Sequence, residues 1–175
     1  MLEIEAKIRV EDLAPFEKRL TELGAPFEGE FRQHDIFFDF PDRRLMNQDA
    51  GLRLRQMRRG DQEKYLLCYK GPRQGGPYKR RQEVEFAVED GAAARELVRA
   101  LGLENILEFA KNRRQWRLDE CAVCLDHLPE LGKFVEIEGP GEERIAGVLQ
   151  KLHLESAPIE KQGYAHLMAR QMGQK

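Results

Sequence analysis

Few cysteines, little net charge and no long apolar run are the first features of this 175-residue chain. Three cysteines, Cys68, Cys121 and Cys124, make an odd set too small for a disulfide framework, which excludes a stapled secreted scaffold and fits a reducing compartment. No apolar run approaches the length of a signal peptide or membrane span, so the expectation is a cytoplasmic protein without a membrane partner. A formal net charge of −2, from 29 basic and 31 acidic residues, lacks the overall bias of a nucleic-acid or anionic-membrane binder. Any polyanion site must therefore be local. No linker divides the chain and no fixed-period repeat is visible, so residues 1–175 read as a single domain. His34, His127, His153 and His166 share no metal spacing. Cys121-x-x-Cys124 falls within a predicted strand, where residues three apart face opposite ways, and no second pair completes a zinc set.

What the chain does have is charge, at 34% of residues, and the charge is patterned. Glu3 and Glu5 alternate with Leu2, Ile4 and Ala6, and the same Glu-x-Glu device returns at Glu83 with Glu85 and at Glu136 with Glu138. Residues two apart in a strand share a face, so each pair brings two carboxylates into one space. Such groups repel one another unless cations lie between them. Basic pairs use the same spacing: Arg53 with Arg55, and Lys111 with Arg113. Solvent-facing charge is the ordinary reading of one such pair, but five on separate strands point to a common purpose. Hard carboxylate oxygens suit magnesium or manganese, and arginine forks suit phosphate oxygens.

Strands are expected from the first residues to Val10, then near Phe31 to Phe40, Gly51 to Arg59, Lys64 to Lys70, Tyr78 to Val88, Leu107 to Leu118, Cys121 to His127 and Lys133 to Glu138. Asp12 is placed to cap a helix with Leu13, Phe16, Leu20 and Leu23 as its apolar stripe, ended by Gly24. A second helix begins near Asp90 and uses Ala94, Leu97, Val98 and Leu101; a third runs from Glu142 to Leu152, and a last from Lys161 to Met172. Short turns between many strands favour an α+β fold: a closed antiparallel eight-stranded barrel with helices packed outside and a charged lumen. The glycine-rich stretch from Gly71 to Pro77 reads as a mobile loop and candidate lid.

In order along the chain, Glu3-Ile4-Glu5-Ala6-Lys7, His34 to Asp39, Gly51-Leu52-Arg53-Leu54-Arg55, Lys70-Gly71-Pro72, Arg81 to Glu85, Lys111-Asn112-Arg113 with Trp116, Leu125-Asp126 and Leu131 to Glu138 resemble the CYTH domains, or triphosphate tunnel metalloenzymes. The resemblance implies an eight-stranded tunnel that binds a triphosphate with Mg2+ or Mn2+. Carried over residue by residue, it makes Glu3, Glu5, Glu136 and Glu138 the main metal-side and catalytic carboxylates, with Glu83, Glu85 and Asp126 supporting them. Lys7, Arg53, Arg55, Lys70, Lys111 and Arg113 would hold phosphates. Arg81 would either join them or neutralise Glu83 and Glu85. In the family's C-terminal Lys-then-Ser-Tyr segment, Lys161 and Tyr164 match here while Gly163 replaces the serine, which weakens Lys161 as a site residue.

The resemblance is nearest to class IV adenylyl cyclases, which convert ATP to cyclic AMP and pyrophosphate. A triphosphatase acting on inorganic, thiamine or nucleoside triphosphate uses the same lumen, with water as the attacking group. A non-catalytic polyphosphate or nucleotide binder would need the cations more than the glutamates. The implied partner is a small-molecule triphosphate rather than a nucleic acid. The oligomeric state stays open, a homodimer included.

Overall fold

The computed structural model describes residues 1–173. Among them are eight strands and five helices. In chain order these are β1 (Leu2–Val10), α1 (Ala14–Glu22), β2 (Phe27–Asp39), α2 (Arg44–Asn47), β3 (Gly51–Arg59), β4 (Gln62–Gln74), β5 (Lys79–Val88), α3 (Gly91–Ala100), β6 (Glu104–Leu118), β7 (Cys121–Leu128), β8 (Gly132–Glu138), α4 (Glu142–Lys151) and α5 (Tyr164–Gln171). The strands close into a barrel in the order β1-β5-β4-β3-β2-β6-β7-β8, as the run of short turns predicts. No described helix is long and apolar enough to cross a membrane.

The chain forms two compact units, one of residues 1–2, 31–74 and 81–110, the other of residues 3–30, 75–80 and 111–173. In the second, alternate strand residues Ile4, Ala6, Ile8, Trp116, Val123, Leu125, Val135 and Ile137 pack against Leu20 of α1 and Ile145, Val148 and Leu149 of α4. That buried apolar set supplies the main stabilisation of these helices, which are too short to hold on propensity alone. The alternation leaves Glu5, Lys7, Lys111, Arg113, Asp126 and Glu136 on the opposite strand face, all of them buried. Charged groups there require partners.

In the first unit, Ile36, Phe38 and Leu54 pack against Ala94 and Val98 of α3. The Asp90 side chain caps α3 by accepting from the backbone N–H groups of Ala92 and Ala93 at 2.8 and 3.1 Å. Leu97 and Leu101, expected on the packed stripe, are instead 59% and 65% exposed. The helix meets the sheet through its Gly91–Ala94–Val98 side: a Cβ on Gly91 would come within 2.4 Å of the Tyr65 ring. That close approach turns the two leucines away.

Three local features depart from the sequence reading. Leu13, not Asp12, occupies the α1 N-cap, and no side chain caps that helix; Asp12 instead accepts from Leu13 N–H and from Lys133 Nζ. The short helix α2 lies where only a turn is signalled, because buried Asp39 accepts the backbone N–H groups of Phe40, Leu45 and Met46. The supposed loop at Gly71 is strand as far as Gln74. Arg81 donates to the carbonyls of Asp49 and Gly71 at 2.6 and 3.0 Å, holding this stretch extended.

Candidate active site

In the second unit, strand register decides which charges meet. Lys7 stands opposite Glu136 between β1 and β8, and Arg113 opposite Asp126 between β6 and β7. Arg113 grips Asp126 with two bonds, Nε to Oδ1 at 2.7 Å and Nη2 to Oδ2 at 2.6 Å, and also donates to Glu136 Oε1 at 2.7 Å. Lys111 Nζ lies 2.8 Å from Asp126 Oδ2. Lys7 Nζ reaches Glu5 Oε1 at 3.1 Å and Glu136 Oε2 at 3.5 Å, and Lys79 Nζ reaches the same Glu5 oxygen at 2.6 Å. The negative groups are thus interleaved with protein cations.

Their titration follows from this interleaving. Burial alone would raise the Glu136 carboxyl, but Arg113, then Lys7, Lys111 and Lys79 hold it well below the usual carboxylate range. Asp126 is likewise held low against its burial by Arg113 and Lys111. Burial and the neighbouring Asp126 charge push the Tyr164 phenol well above its ordinary value, so it remains a donor. Glu3 is buried on β1, whereas Glu138 at the end of β8 is exposed. Lys161 is exposed, while the adjacent Gln162 carbonyl accepts from Lys7 Nζ at 3.3 Å.

The first unit holds a separate cluster. Asp35 and Arg55 face each other across β2 and β3 and form a two-bond pair at 2.6 and 2.7 Å. Arg53 lies 3.7 Å from Asp35 Oδ2, and its Nη2 donates to Glu85 Oε2 at 3.2 Å. Lys70 Nζ lies 3.3 Å from Glu83 Oε2, and the Cys68 thiol lies 2.9 Å from Glu83 Oε1. Burial pushes that thiol up to about 12, while Lys70 and the Cys68 hydrogen bond outweigh burial in holding the Glu83 carboxyl low. Arg81 does not turn to Glu83 or Glu85; its charge is met by Asp49 Oδ1 at 2.8 Å.

The donor chemistry fits a divalent cation at one place in particular. One ligand atom each from Cys68, Glu83 and Glu85 lies within 4.8 Å of the others. Two carboxylates can supply the hard oxygens that magnesium or manganese prefers. Asp126 accepts from Lys111, Arg113 and Tyr164, which makes it a holder of cationic side chains.

Asp35, Lys79 and Cys68 escape the spacing argument. Lys79 could have been found by continuing the β5 alternation two residues back from Arg81 to a Lys on the same face. Asp35 stands one position before an apolar run and carries no paired signature of its own. The two cysteines of the C-x-x-C motif face apart as expected: Cys124 lies across from Glu136 on β8, and Cys121 lies near Gly139 beside α4.

The barrel and these clusters define a class of protein, one that surrounds acidic and basic groups with a ring of antiparallel strands. Residues 1–164 match the CYTH domain, and the chain belongs to that family. It is 29% identical over 138 residues to a protein of Methanocaldococcus jannaschii provisionally named as an adenylate cyclase, covering 79% of this chain and 77% of that one. It is 26% identical over 175 residues to the adenylate cyclase CyaB of Aeromonas hydrophila, covering 94% of this chain and 87% of the relative. A solved structure from Pyrococcus horikoshii OT3 has a TM-score of 0.82 and 27% identity, over 96% of this chain and 98% of that one.

Proposed function

We propose that this protein is a divalent-metal-dependent enzyme acting on a triphosphate, and that its reaction is class IV adenylyl cyclisation of ATP to cyclic AMP and pyrophosphate. The observation that carries the reading is the convergence of Glu83 and Glu85, with Cys68, beside Lys70 and Arg53. Metal-preferring and phosphate-preferring groups there occupy neighbouring positions. The cyclase-named relatives from Methanocaldococcus and Aeromonas support the choice of reaction.

Glu83 and Glu85 would hold Mg2+ or Mn2+. When bound, such an ion supplies Lewis-acid polarisation of phosphoryl and hydroxyl oxygens. Lys70 and Arg53 would bind phosphate oxygens, the arginine through its planar fork. In the second unit, Lys7, Lys111 and Arg113 pair with Asp126 and Glu136 and would exchange part of that pairing for phosphate. Pre-set cations of this kind stabilise charge on a departing pyrophosphate without reorganising during the reaction. The bond formed is from the ribose hydroxyl oxygen to the α-phosphorus, and the bond broken releases pyrophosphate.

The test is a product assay with Mg2+ or Mn2+, offering ATP and inorganic triphosphate separately. Cyclic AMP with pyrophosphate in equal amounts is the expected result. Orthophosphate alone would replace the cyclase with a triphosphatase, and no turnover of either would leave a binder of polyphosphate.

A further inference from the structure

Tyr164 stands at the first position of α5 and is 8% exposed. Its hydroxyl donates to Asp126 Oδ2 at 2.9 Å, the oxygen also bound by Lys111 and Arg113. Lys7 Nζ lies 4.2 Å from the ring centroid and Lys111 Nζ 4.5 Å. The ring is itself fixed edge-on to Phe134, at 5.2 Å between centroids and 74° between planes. The chain just before it is fastened to β1, since Glu160 N–H donates to the Lys7 carbonyl at 2.7 Å and the Gln162 carbonyl accepts from Lys7 Nζ.

Two ammonium groups gathered at one place repel each other, and lysine stems have rotamer freedom to separate them. The Tyr164 ring attracts both at once through its electron-rich face, beside the carboxylates that offset their charge. Its hydroxyl simultaneously orients the carboxylate that neutralises Lys111. An apolar plug of the same size would fill the space but do neither. We infer that Tyr164 is a positioning residue that holds the Lys7 and Lys111 ammonium groups in place for an incoming triphosphate. The C-terminal helix thereby sets the geometry of cations that belong to β1 and β6. This rests on the reading above, in which both lysines grip phosphate.

The experiment compares the full-length protein with Tyr164→Phe, which keeps the ring, and Tyr164→Leu, which does not. Binding of inorganic triphosphate with Mg2+ is measured by calorimetry, and lysine side-chain Hε shifts are read by NMR. Two lysines should show ring-current-shifted Hε signals in the wild type and in Tyr164→Phe but not in Tyr164→Leu. The Kd should rise about tenfold in Tyr164→Leu and about threefold in Tyr164→Phe, with KM moving more than kcat. Equal Kd in wild type and every folded variant overturns the positioning role and leaves the proposed function standing. A wild type that does not bind triphosphate overturns the proposed function and the positioning role with it. If Tyr164→Leu does not fold, Tyr164→Phe decides: unchanged Kd, or ordinary lysine Hε shifts in the wild type, overturns the inference.

Discussion

Arg113 holds Asp126 through two parallel bonds of 2.7 and 2.6 Å and uses the same Nη2 to reach Glu136. A single guanidinium on β6 thus secures one carboxylate on the adjacent β7 and another on β8, the strand beyond it. Asp126→Asn removes the charge that Lys111 and Arg113 share, leaving buried cations under-compensated. Its expected cost is roughly 3–5 kcal/mol, the range for breaking a buried pair from one side. Urea denaturation with a chelator present measures it; a loss below the noise of that method contradicts the assignment of Asp126 as the holder of these cations.

Acid should act on the same groups. Asp126 and Glu136 have depressed folded-state values, owing to Arg113 first among the charges opposing their burial. Their contribution is therefore present above the unfolded carboxylate value of about 4 and is lost as pH falls through the depressed folded values. Stability should change little between neutral pH and about 5 on this account and fall steeply below about 4. The acid limb of the Asp126→Asn variant should be shallower than the wild type's, a comparison that thermal melts at stepped pH will make.

Glu83→Gln with Glu85→Gln removes the converging oxygens beside Cys68. Free Mn2+ measured by electron paramagnetic resonance should show weakened binding by at least about tenfold, since each lost carboxylate removes a charged hard ligand. Turnover should fall by orders of magnitude, and a chelator should abolish it in the wild type. Unaltered Mn2+ binding would move the metal elsewhere.

Gly139 tests packing apart from chemistry. A Cβ there would lie 2.6 Å from Cys121 Sγ and 3.1 Å from Ile145 Cγ1, and both neighbours are fully buried. Gly139→Ala should destabilise by about 1–3 kcal/mol, as overpacking does. Adding Cys121→Ala should recover part of that loss, and a double variant no better than the single one would locate the strain elsewhere.

How much of this could be read from the chain alone depends on the range of the signal. Alternation on β1, β3, β6 and β8 exposes its charged face over a few residues, so the barrel and its charged strands were legible from Glu3 to Glu138. What spacing cannot encode is which charge meets which. Clustered glutamates suggest mutual repulsion relieved by metal, yet Glu136 lies against Arg113 and Lys7, a pairing fixed by barrel register. With these cations in place, Glu136→Gln should destabilise, a loss that urea denaturation will measure. The helix α2 depends on one buried Asp39 side chain and leaves no periodic trace. Leu97 and Leu101 obeyed helical spacing but lost their surface to the closer approach at Gly91.

The pairing of Glu5 with Glu138, and of the Lys7 carbonyl with Glu160 N–H, also sets a timetable. β1 precedes its partner on one side, the eighth strand, by most of the barrel, and one of its backbone bonds waits for Glu160. Ring closure must follow synthesis of the eighth strand, and contacts of such long sequence separation form slowly. Until then, the strand that carries Glu3, Glu5 and Lys7 is an open edge, and aggregation during synthesis competes with its closure.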